Sequence, residues 1–307
     1  MTNWTTNDIP DLSGKTAIVT GANSGVGFYT TFWLAAKGAR VVMACRSMEK
    51  AQAAANKMRT QRPNLALDVI RLDLSNLDSI RGFAGVFRQR YPTLDILVNN
   101  AGVMAIPFRK TDDCFEMQFG TNHLGHFALT GLLLNRLVST PEARVVTVSS
   151  MTHVNAHIDF ENLNGEKSYR KWGAYGQSKL ANLLFAYELQ RRLAASDSHA
   201  ISLATNPGYA DTHLSFVAHE MEGKRSWIRI MRIANRILAQ SAEIGALTSL
   251  FAATSREGRG GDYIQPQYFT AWGYPKKSKS SAASYNIKTA QQLWRISEEM
   301  TGIVYAF

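Results

Sequence analysis

Cysteine is scarce in this chain, and its scarcity excludes whole classes of protein. Two cysteines, Cys45 and Cys114, are too few for a disulfide framework, so they favour a reducing compartment and a packing role. No apolar run approaches the ~18 residues that a membrane-spanning helix requires. The first fifteen residues are polar and carry no apolar targeting core. We therefore expect a cytoplasmic protein that contacts membranes at most peripherally.

Motifs for nucleic acid and for metal are also missing. The formal net charge is +10, which suits an anionic cofactor or an acidic membrane surface as well as nucleic acid. However, the sequence has neither zinc-finger spacing nor an aromatic-basic RNA motif. His123 and His126 lie one turn apart, but no cysteine or acidic partner completes a metal site with them. We expect no nucleic-acid partner and no bound metal.

The chain is rich in a regular alternation of short β-branched runs and helix-length segments. Strands are predicted at residues 15–20, 40–45, 67–72, 95–99 and 144–149. Such alternation requires a parallel sheet with right-handed crossovers and helices on both faces. With 307 residues, 45% of them hydrophobic, the chain is long enough to bury one large core. The prediction is one α/β domain over 1–307, a doubly wound parallel sheet of the Rossmann type.

No linker divides this predicted domain, but its parts are expected to have different roles. Residues 14–212 would hold the cofactor and the catalytic groups. A substrate-binding lobe would follow the sixth strand, with a lid at about 209–240. A further strand and a helix would then occupy about 241–303.

A glycine-rich turn, TGANSGVG, follows the first predicted strand. Glycine permits a tight turn and lets backbone N–H groups approach a pyrophosphate at the helix N-terminus. Between the first strand and first helix of an alternating chain, this spacing indicates a dinucleotide site. The predicted contacts are Gly21, Asn23, Ser24, Gly25, Val26 and Gly27.

Arg46 stands where the second predicted strand ends. An NAD enzyme usually has Asp or Glu near this point, where the carboxylate grips the ribose 2′-hydroxyl. Here no carboxylate would repel a 2′-phosphate, and the guanidinium can pair with one. We predict NADP(H) as the cofactor rather than NAD(H). The alternative is that Arg46 simply points into water.

Tyr175 and Lys179 form a candidate catalytic pair, although this spacing by itself fits an ordinary helix-surface Tyr–Lys contact equally well. Four residues apart on a helix, their side chains share one face. A phenol holds its proton to pH ~10, but a neighbouring ammonium favours the phenolate and lowers the phenol pKa. The pair would then be a proton donor and acceptor near neutral pH.

Further motifs follow in order along residues 15–212. They are Asp73-Leu74, NNAG at 99–102, Asn122, Ser149-Ser150 and Pro207-Gly208. Together with the glycine turn and the Tyr-Lys pair, they resemble the short-chain dehydrogenase/reductase family. The segments TNHLGHFALT, AYGQSKLAN and LWRISEEMTG, at 121–130, 174–182 and 293–302, resemble its retinol-dehydrogenase-like branch.

The resemblance implies roles for these residues. Asn122 matches the asparagine that holds a water in a proton relay, and Ser150 matches the serine that bonds the substrate oxygen. Ser149 would point the opposite way and bond to backbone. Lys179 would also hold the nicotinamide ribose. The remaining implied cofactor contacts are Asp73, Leu74, Asn100, Ala101, Gly102, Pro207, Gly208, Ala210 and Thr212.

Position 210 departs from the family pattern. The usual residue there is a β-branched Val or Ile, so Ala210 weakens side-chain packing but not a backbone contact. His153 and His157 follow the serine pair and are candidates for the substrate entrance.

The segment 224–239 alternates basic and apolar residues at helical spacing. Our main interpretation is a lid whose apolar face points inward. An interfacial helix on anionic lipid is the alternative, and a subunit contact is a third reading.

These features predict an NADP(H)-dependent oxidoreductase interconverting a carbonyl and an alcohol on an apolar small molecule. One alternative is a double-bond reductase resembling protochlorophyllide reductase, although that family departs from NNAG and from the serine pair. The other is a non-catalytic NADP-binding protein on the same fold. Helices at about 111–138 and 173–196 match those that form a dimer contact in relatives, so a homodimer is open.

Overall fold

Eight strands form one sheet in the order β3-β2-β1-β4-β5-β6-β7-β8. The computed structural model describes residues 3–209 and 240–307. Neighbours from β3 through β7 run parallel, and β8 pairs antiparallel with β7. The strands are β1 Thr16–Thr20, β2 Arg40–Cys45, β3 Leu67–Arg71, β4 Ile96–Asn99, β5 Arg144–Val148, β6 Ile201–Thr205, β7 Tyr263–Tyr268 and β8 Trp272–Ser278.

Helices cover both faces of this sheet. In the described ranges they are α1 Gly25–Ala36, α2 Met48–Gln61, α3 Leu77–Arg90, α4 Met117–Phe119, α5 Gly125–Leu132, α6 Leu134–Ser139, α7 Lys171–Ala195, α8 Ala242–Thr254 and α9 Ile287–Thr301. A π-helical turn, Gly120–Leu124, joins α4 to α5. Short 3₁₀ turns lie at Thr6–Asp8, Met151–His153 and Ala282–Tyr285. The doubly wound fold predicted from the alternation is confirmed.

The core consists of two layers separated by the sheet. Val19 of β1 packs with residues of α1, α2 and α8, whereas Ile18 packs with α3, α5 and α7. All of β1 is buried, because helices cover it on both sides. The first five strands were predicted within one residue at either end, because each is a short run rich in β-branched residues.

The antiparallel edge strand β8 was not predicted. Its sequence, WGYPKKS, is mostly exposed and contains Pro275, a residue confined to edge strands because it cannot donate to a ladder. Phe269 and Thr270, in the turn before it, have φ of 48° and 59°. Residues 269–271 contain neither glycine nor asparagine, so the sequence carries no hairpin-turn signal there.

Helix α9 lies across α5 and α7. The Trp294 ring stacks on Phe185 of α7 at 5.8 Å between centroids, and the Tyr305 hydroxyl donates to the Phe127 carbonyl of α5 at 2.6 Å. The Arg192 guanidinium lies 4.3 Å above the Trp294 ring. The chain's own C-terminal segment therefore covers these parts of α5 and α7. Both helices belong to the segments that were predicted as a dimer surface.

The predicted lid at 224–239 lies outside the described residues, as do Ala210 and Thr212. The chain enters and leaves that region at one place, where the Gln240 amide donates to the Tyr209 carbonyl at 2.9 Å. Over 3–209 and 240–307, the helices are too short or too polar to cross a bilayer.

Candidate active site

The predicted site residues that the structure describes gather at one edge of the sheet. Each follows the carboxyl end of a parallel strand or lies on a helix that packs there. The strand order changes direction between β1 and β4, which opens the crevice where doubly wound sheets bind ligands. Topology alone therefore brings together motifs scattered from residue 20 to residue 208 of the sequence.

The glycine turn has the backbone shape that its sequence predicts. Gly21 and Gly25 have φ of +65° and +55°, a region that favours glycine. A Cβ on Gly27 would lie 2.4 Å from the Gly21 carbonyl oxygen and 2.5 Å from the Asn100 side-chain nitrogen. The turn is therefore closed against the next loop, and a larger residue at 27 would push the two apart.

The N-terminus of α1 differs from those of α2 and α3. Ser47 and Asn76 cap α2 and α3 through their side chains, whereas Ser24 makes no side-chain cap bond at α1. Ser24 is exposed, and Val26 and Gly27 lie in the first helical turn. First-turn amides and the positive end of the helix dipole suit a pyrophosphate. The residues present fit a dinucleotide.

Three predicted cofactor contacts, Arg46, Asp73 and Leu74, follow the carboxyl ends of β2 and β3. Arg46 is exposed directly after β2. The Asp73 carboxylate accepts bonds from the Ser75 amide at 3.0 Å and from the Ser75 hydroxyl at 2.7 Å. Leu74 is buried, and its carbonyl lies 2.4 Å from where a Cβ on Gly125 would stand. Ser75 thus fixes Asp73, and the close packing of α5 fixes Leu74.

Thr20 organises the NNAG turn, a role that the sequence analysis missed. Its hydroxyl accepts the Asn100 and Ala101 amides, both at 2.9 Å. The Asn100 side chain donates back to the Thr20 carbonyl at 2.7 Å. Gly102 comes next, and a Cβ there would lie 3.0 Å from the Asn122 side-chain oxygen and 3.6 Å from the Lys179 ammonium. The cofactor turn and the catalytic groups are in close contact.

Asn122 lies within the π-helical turn and is fully buried. Its side chain accepts the Val103 amide at 2.8 Å and donates to the Val103 carbonyl and to the Ser178 hydroxyl, each at 2.9 Å. All of its amide's short contacts are therefore structural. What remains for a water in a relay is its backbone carbonyl, which has two lone pairs and already accepts one bond, from His126 Nδ1 at 2.9 Å.

The two serines after β5 point in opposite directions, as strand geometry predicts. Ser149 is buried, and its hydroxyl donates to the Lys179 backbone carbonyl at 2.8 Å. The half-buried Ser150 hydroxyl forms a hydrogen bond with the Tyr175 phenol. Ser150 and Tyr175 therefore lie together, with Ser149 supporting the helix behind them.

Tyr175 and Lys179 are both buried on α7. The Lys179 ammonium lies 5.7 Å from the centroid of the Tyr175 ring and donates to the Val148 carbonyl at 3.1 Å. Burial raises the pKa of Tyr175 to about 12, although the Ser150 hydrogen bond lowers it in part. Burial also lowers the pKa of Lys179 to about 8.

The predicted downward shift of the Tyr175 pKa was therefore wrong for this structure. The sequence argument counted the ammonium and left out desolvation, which disfavours each charged form. The Lys179 ammonium lies 5.7 Å from the Tyr175 ring centroid and donates to the Val148 carbonyl instead. At that distance it does not offset the desolvation of the phenolate.

His153 does not line a substrate entrance, contrary to the prediction. It is buried, its Nδ1 lies 2.6 Å from the Ser150 carbonyl, and its Nε2 accepts the Ser281 amide at 3.2 Å. Burial lowers its pKa, so the ring is neutral. It bridges the Ser150 carbonyl and the Ser281 amide. His157 is exposed, and its predicted role stays open.

Gly208 closes the site on the β6 side. Its φ is +73°, and a Cβ would lie 2.4 Å from the Ala271 carbonyl oxygen. The Gln240 side chain donates to the Pro207 carbonyl at 2.8 Å. These contacts hold the start of the predicted cofactor segment, Pro207 to Tyr209, against β7 and the turn before β8.

A crevice at the switch point, a glycine turn and a Ser-Tyr-Lys arrangement define a dinucleotide-dependent oxidoreductase site. The family model described as short chain dehydrogenase matches residues 15–223. The chain belongs to the short-chain dehydrogenase family, whose members are oxidoreductases that use NAD(H) or NADP(H) on small molecules.

Curated relatives align with nearly the whole length of this chain. Human retinol dehydrogenase 12 is 41% identical, over 95% of this chain and 88% of its own. Human retinol dehydrogenase 13 is 39% identical, over 95% and 86%. Human polyprenol dehydrogenase is 38% identical, over 96% and 87%. The retinol-dehydrogenase-like resemblance is thereby confirmed.

Solved structures share the fold. An uncharacterized protein from Mycobacterium paratuberculosis has a TM-score of 0.82 and 40% identity, covering 100% of both chains. A short chain dehydrogenase from Shigella flexneri, complexed with NADP, has a TM-score of 0.63 and 21% identity, covering 82% of this chain and 97% of its own.

Proposed function

We propose that this protein is an NADP(H)-dependent oxidoreductase that interconverts a carbonyl and an alcohol on an apolar small molecule, with Tyr175 as the general acid and base. The observation that carries the proposal is the buried Tyr175 phenol, hydrogen-bonded to Ser150 and one turn from buried Lys179. All three lie beside the glycine turn that suits a dinucleotide.

The reducing nicotinamide would supply a hydride to the carbonyl carbon. Negative charge then grows on the carbonyl oxygen, where the Ser150 hydroxyl and the Tyr175 phenol are donors. Tyr175 gives its proton to that oxygen, and the Lys179 ammonium on the next turn stabilises the phenolate left behind. In the reverse direction the Tyr175 phenolate takes the alcohol proton.

The pKa of Tyr175 favours reduction in this scheme. With its pKa raised to about 12 by burial, the phenol holds its proton throughout the neutral range. Tyr175 is then protonated before each turnover, as a general acid must be. Reduction should therefore proceed at pH 7, whereas oxidation should need higher pH.

The NADP(H) preference rests on Arg46. An exposed guanidinium directly after β2 can pair with a 2′-phosphate, where a carboxylate would repel it. Arg46→Asp should weaken NADPH binding by roughly 10- to 100-fold, the value of one charge-assisted pair, and should spare NADH. Arg62→Asp makes the same charge change at the other end of α2 and is the control. NADH binding more tightly than NADPH in the wild type would contradict the preference.

An apolar substrate is supported by the relatives named for retinol and polyprenol, both apolar alcohols. NADPH oxidation should be measured with retinoid and polyprenoid aldehydes, with a sugar aldehyde of similar reactivity as control. The product should be the alcohol with its double bonds intact. Reduction of a ring double bond instead would favour the alternative reductase. Tight NADPH binding without turnover on any carbonyl would favour a non-catalytic role.

The cellular setting remains a proposal of the same kind. We propose a cytoplasmic enzyme, with lipid contact through 224–239 as the competing proposal. Flotation with anionic and neutral vesicles tests it, because salt-sensitive binding to the anionic ones would contradict a purely cytoplasmic location. A homodimer would have to form outside the α5 and α7 contacts that α9 covers, and sedimentation would measure the mass.

A further inference from the structure

His126 occupies a buried position between the cofactor turn and the catalytic turn. It is 1% exposed. Its Nδ1 lies 2.9 Å from the Asn122 carbonyl oxygen, and its Nε2 lies 2.9 Å from the Thr20 hydroxyl. The proposed chemistry above makes no use of this ring.

The partners fix which nitrogen carries the proton. The Asn122 carbonyl can only accept, so His126 Nδ1 must donate to it. Thr20 accepts the Asn100 and Ala101 amides, which occupy the lone pairs of its hydroxyl. Its own proton is then free to go to His126 Nε2 at 2.9 Å, closer than the Val98 carbonyl at 3.3 Å. The ring is therefore a neutral Nδ1–H tautomer.

The surroundings keep the ring neutral. Burial lowers the pKa of His126 to about 4, although its bond to the Asn122 carbonyl raises it in part; the nearby Lys179 charge lowers it further. At neutral pH the ring therefore donates on one side and accepts on the other. The hydrogen bonds from the Asn100 and Ala101 amides through Thr20 and His126 to the Asn122 carbonyl therefore all run in one direction, each group donating to the next.

The π-helical turn explains why a side chain is needed here. Backbone bonds there span five residues, as between the Gly125 amide and the Gly120 carbonyl. This changes the spacing of carbonyls from that of a regular helix and is common at functional sites. The imidazole fixes the Asn122 carbonyl, the group on that residue left for a water relay.

We propose that His126 is a positioning residue, which couples the Asn122 carbonyl to the cofactor turn through Thr20. The role rests on the proposed function above. One imidazole would set both the Asn100–Ala101 turn and the Asn122 carbonyl, so losing both of its hydrogen bonds should affect cofactor affinity and turnover together. A ring that only filled space would affect neither.

Three substitutions separate the two bonds. His126→Asn keeps a donor near the Nδ1 position and loses the Thr20 contact. His126→Gln keeps an acceptor near the Nε2 position and loses the Asn122 contact. His126→Leu loses both. The control is His123→Leu on the same turn, because His123 is equally buried but bonds Ser297 of α9 at 2.9 Å.

Cofactor affinity is read by NADPH fluorescence, turnover by steady-state kinetics and stability by thermal unfolding. We expect His126→Asn to weaken NADPH binding while keeping most of kcat, and His126→Gln to do the reverse. His126→Leu should lower kcat about 10- to 100-fold, as misplaced catalytic groups do. If His126→Leu and His123→Leu lose equal stability with unchanged NADPH affinity and kcat, the positioning role is excluded.

Two readouts need neither cofactor nor turnover. Nitrogen-15 NMR of the histidines should show His126 as a neutral Nδ1–H ring at pH 6, and an Nε2–H or charged ring would overturn the assignment. Hydrogen exchange of the Asn100 and Ala101 amides should accelerate in His126→Asn and His126→Leu, and unchanged exchange would also overturn it. Because both are independent of activity, failure of the oxidoreductase proposal would be distinguishable from failure of this one.

Discussion

The two ends of the sheet treat charge in opposite ways. At the amino end, Lys15 pairs with Asp95 at 2.9 Å, and Arg40 pairs with Asp68 at 3.1 Å. At the carboxyl end, the buried Lys179 ammonium donates to the Val148 backbone carbonyl and lies 5.7 Å from the centroid of the uncharged Tyr175 ring. The first arrangement stabilises the fold, whereas the second shifts two pKa values at the cost of stability.

This comparison predicts that substitutions at the two ends have opposite consequences. Changes at the carboxyl edge should abolish activity while leaving the fold as stable or more so. Changes at the amino end should lower stability while leaving activity intact.

The largest effect is expected from Tyr175→Phe. Without the phenol no proton reaches the carbonyl oxygen, so kcat should fall by at least about 10³-fold while NADPH affinity stays within a few-fold. Steady-state kinetics and NADPH fluorescence measure the two quantities. The control is Tyr187→Phe on the same helix, which is equally buried and hydrogen-bonds Ser280 at 2.7 Å. A fall in kcat of less than about tenfold in Tyr175→Phe would remove the assignment.

Lys179→Met should inactivate the enzyme and stabilise the fold. Burial lowers the Lys179 pKa to about 8, against an ordinary value of 10.5, so the folded chain holds that proton less tightly than the unfolded chain. Removing the charge should add about 3 kcal/mol to the free energy of unfolding at pH 7, at ~1.4 kcal/mol for each unit of pKa. The Val148 carbonyl keeps the Asn182 side chain as a donor at 3.1 Å.

The same linkage fixes a pH dependence. Because the folded pKa lies below the unfolded one, the penalty applies fully below pH 8 and is relieved as pH rises from about 8 to 10.5. Wild-type stability should gain over pH 8 to 9.5 relative to Lys179→Met, measured by urea unfolding. Parallel curves for the two proteins would contradict a buried ammonium. Lys15→Met, at the exposed end, is the control.

Much of this contrast follows from the sequence. Short runs rich in β-branched residues predicted β1 to β5, and parallel topology placed their carboxyl ends, with the motifs that follow them, at one edge of the sheet. The glycine turn and the opposed directions of Ser149 and Ser150 also follow from local geometry.

What depends on three-dimensional packing does not follow from the sequence. Desolvation of Tyr175 is set by helices far apart in the chain, so the direction of its pKa shift could not be read from a Tyr-Lys spacing. The contact between Thr20 and His126 joins residues separated by 106 positions. His153 likewise bonds Ser281 across 128 positions. Local patterns carry no trace of such pairs.

At the amino end, Asp95→Asn should lower stability without touching catalysis. Asp95 is buried and accepts the Thr16 amide at 2.9 Å besides its ion pair with Lys15. The amide retains one acceptor but loses the charge, so unfolding should become easier by about 1–2 kcal/mol. Chemical denaturation measures the loss, and kcat should stay within twofold. A tenfold fall in kcat would show that the two ends are coupled.

The smallest effect is expected from Arg40→Ala. Its guanidinium is 55% exposed and pairs with the half-buried Asp68 carboxylate, so solvent screens the interaction. The loss should be below about 0.5 kcal/mol and should vanish in high salt. Tyr91→Phe is the informative partner variant, because the Tyr91 hydroxyl donates to the same carboxylate oxygen at 2.9 Å in a partly buried hydrogen bond. It should cost about 1 kcal/mol and depend less on salt, because the neutral hydroxyl carries no charge for ions to screen. If Arg40→Ala costs more than Tyr91→Phe, the amino end depends on its surface ion pair rather than on this hydrogen bond.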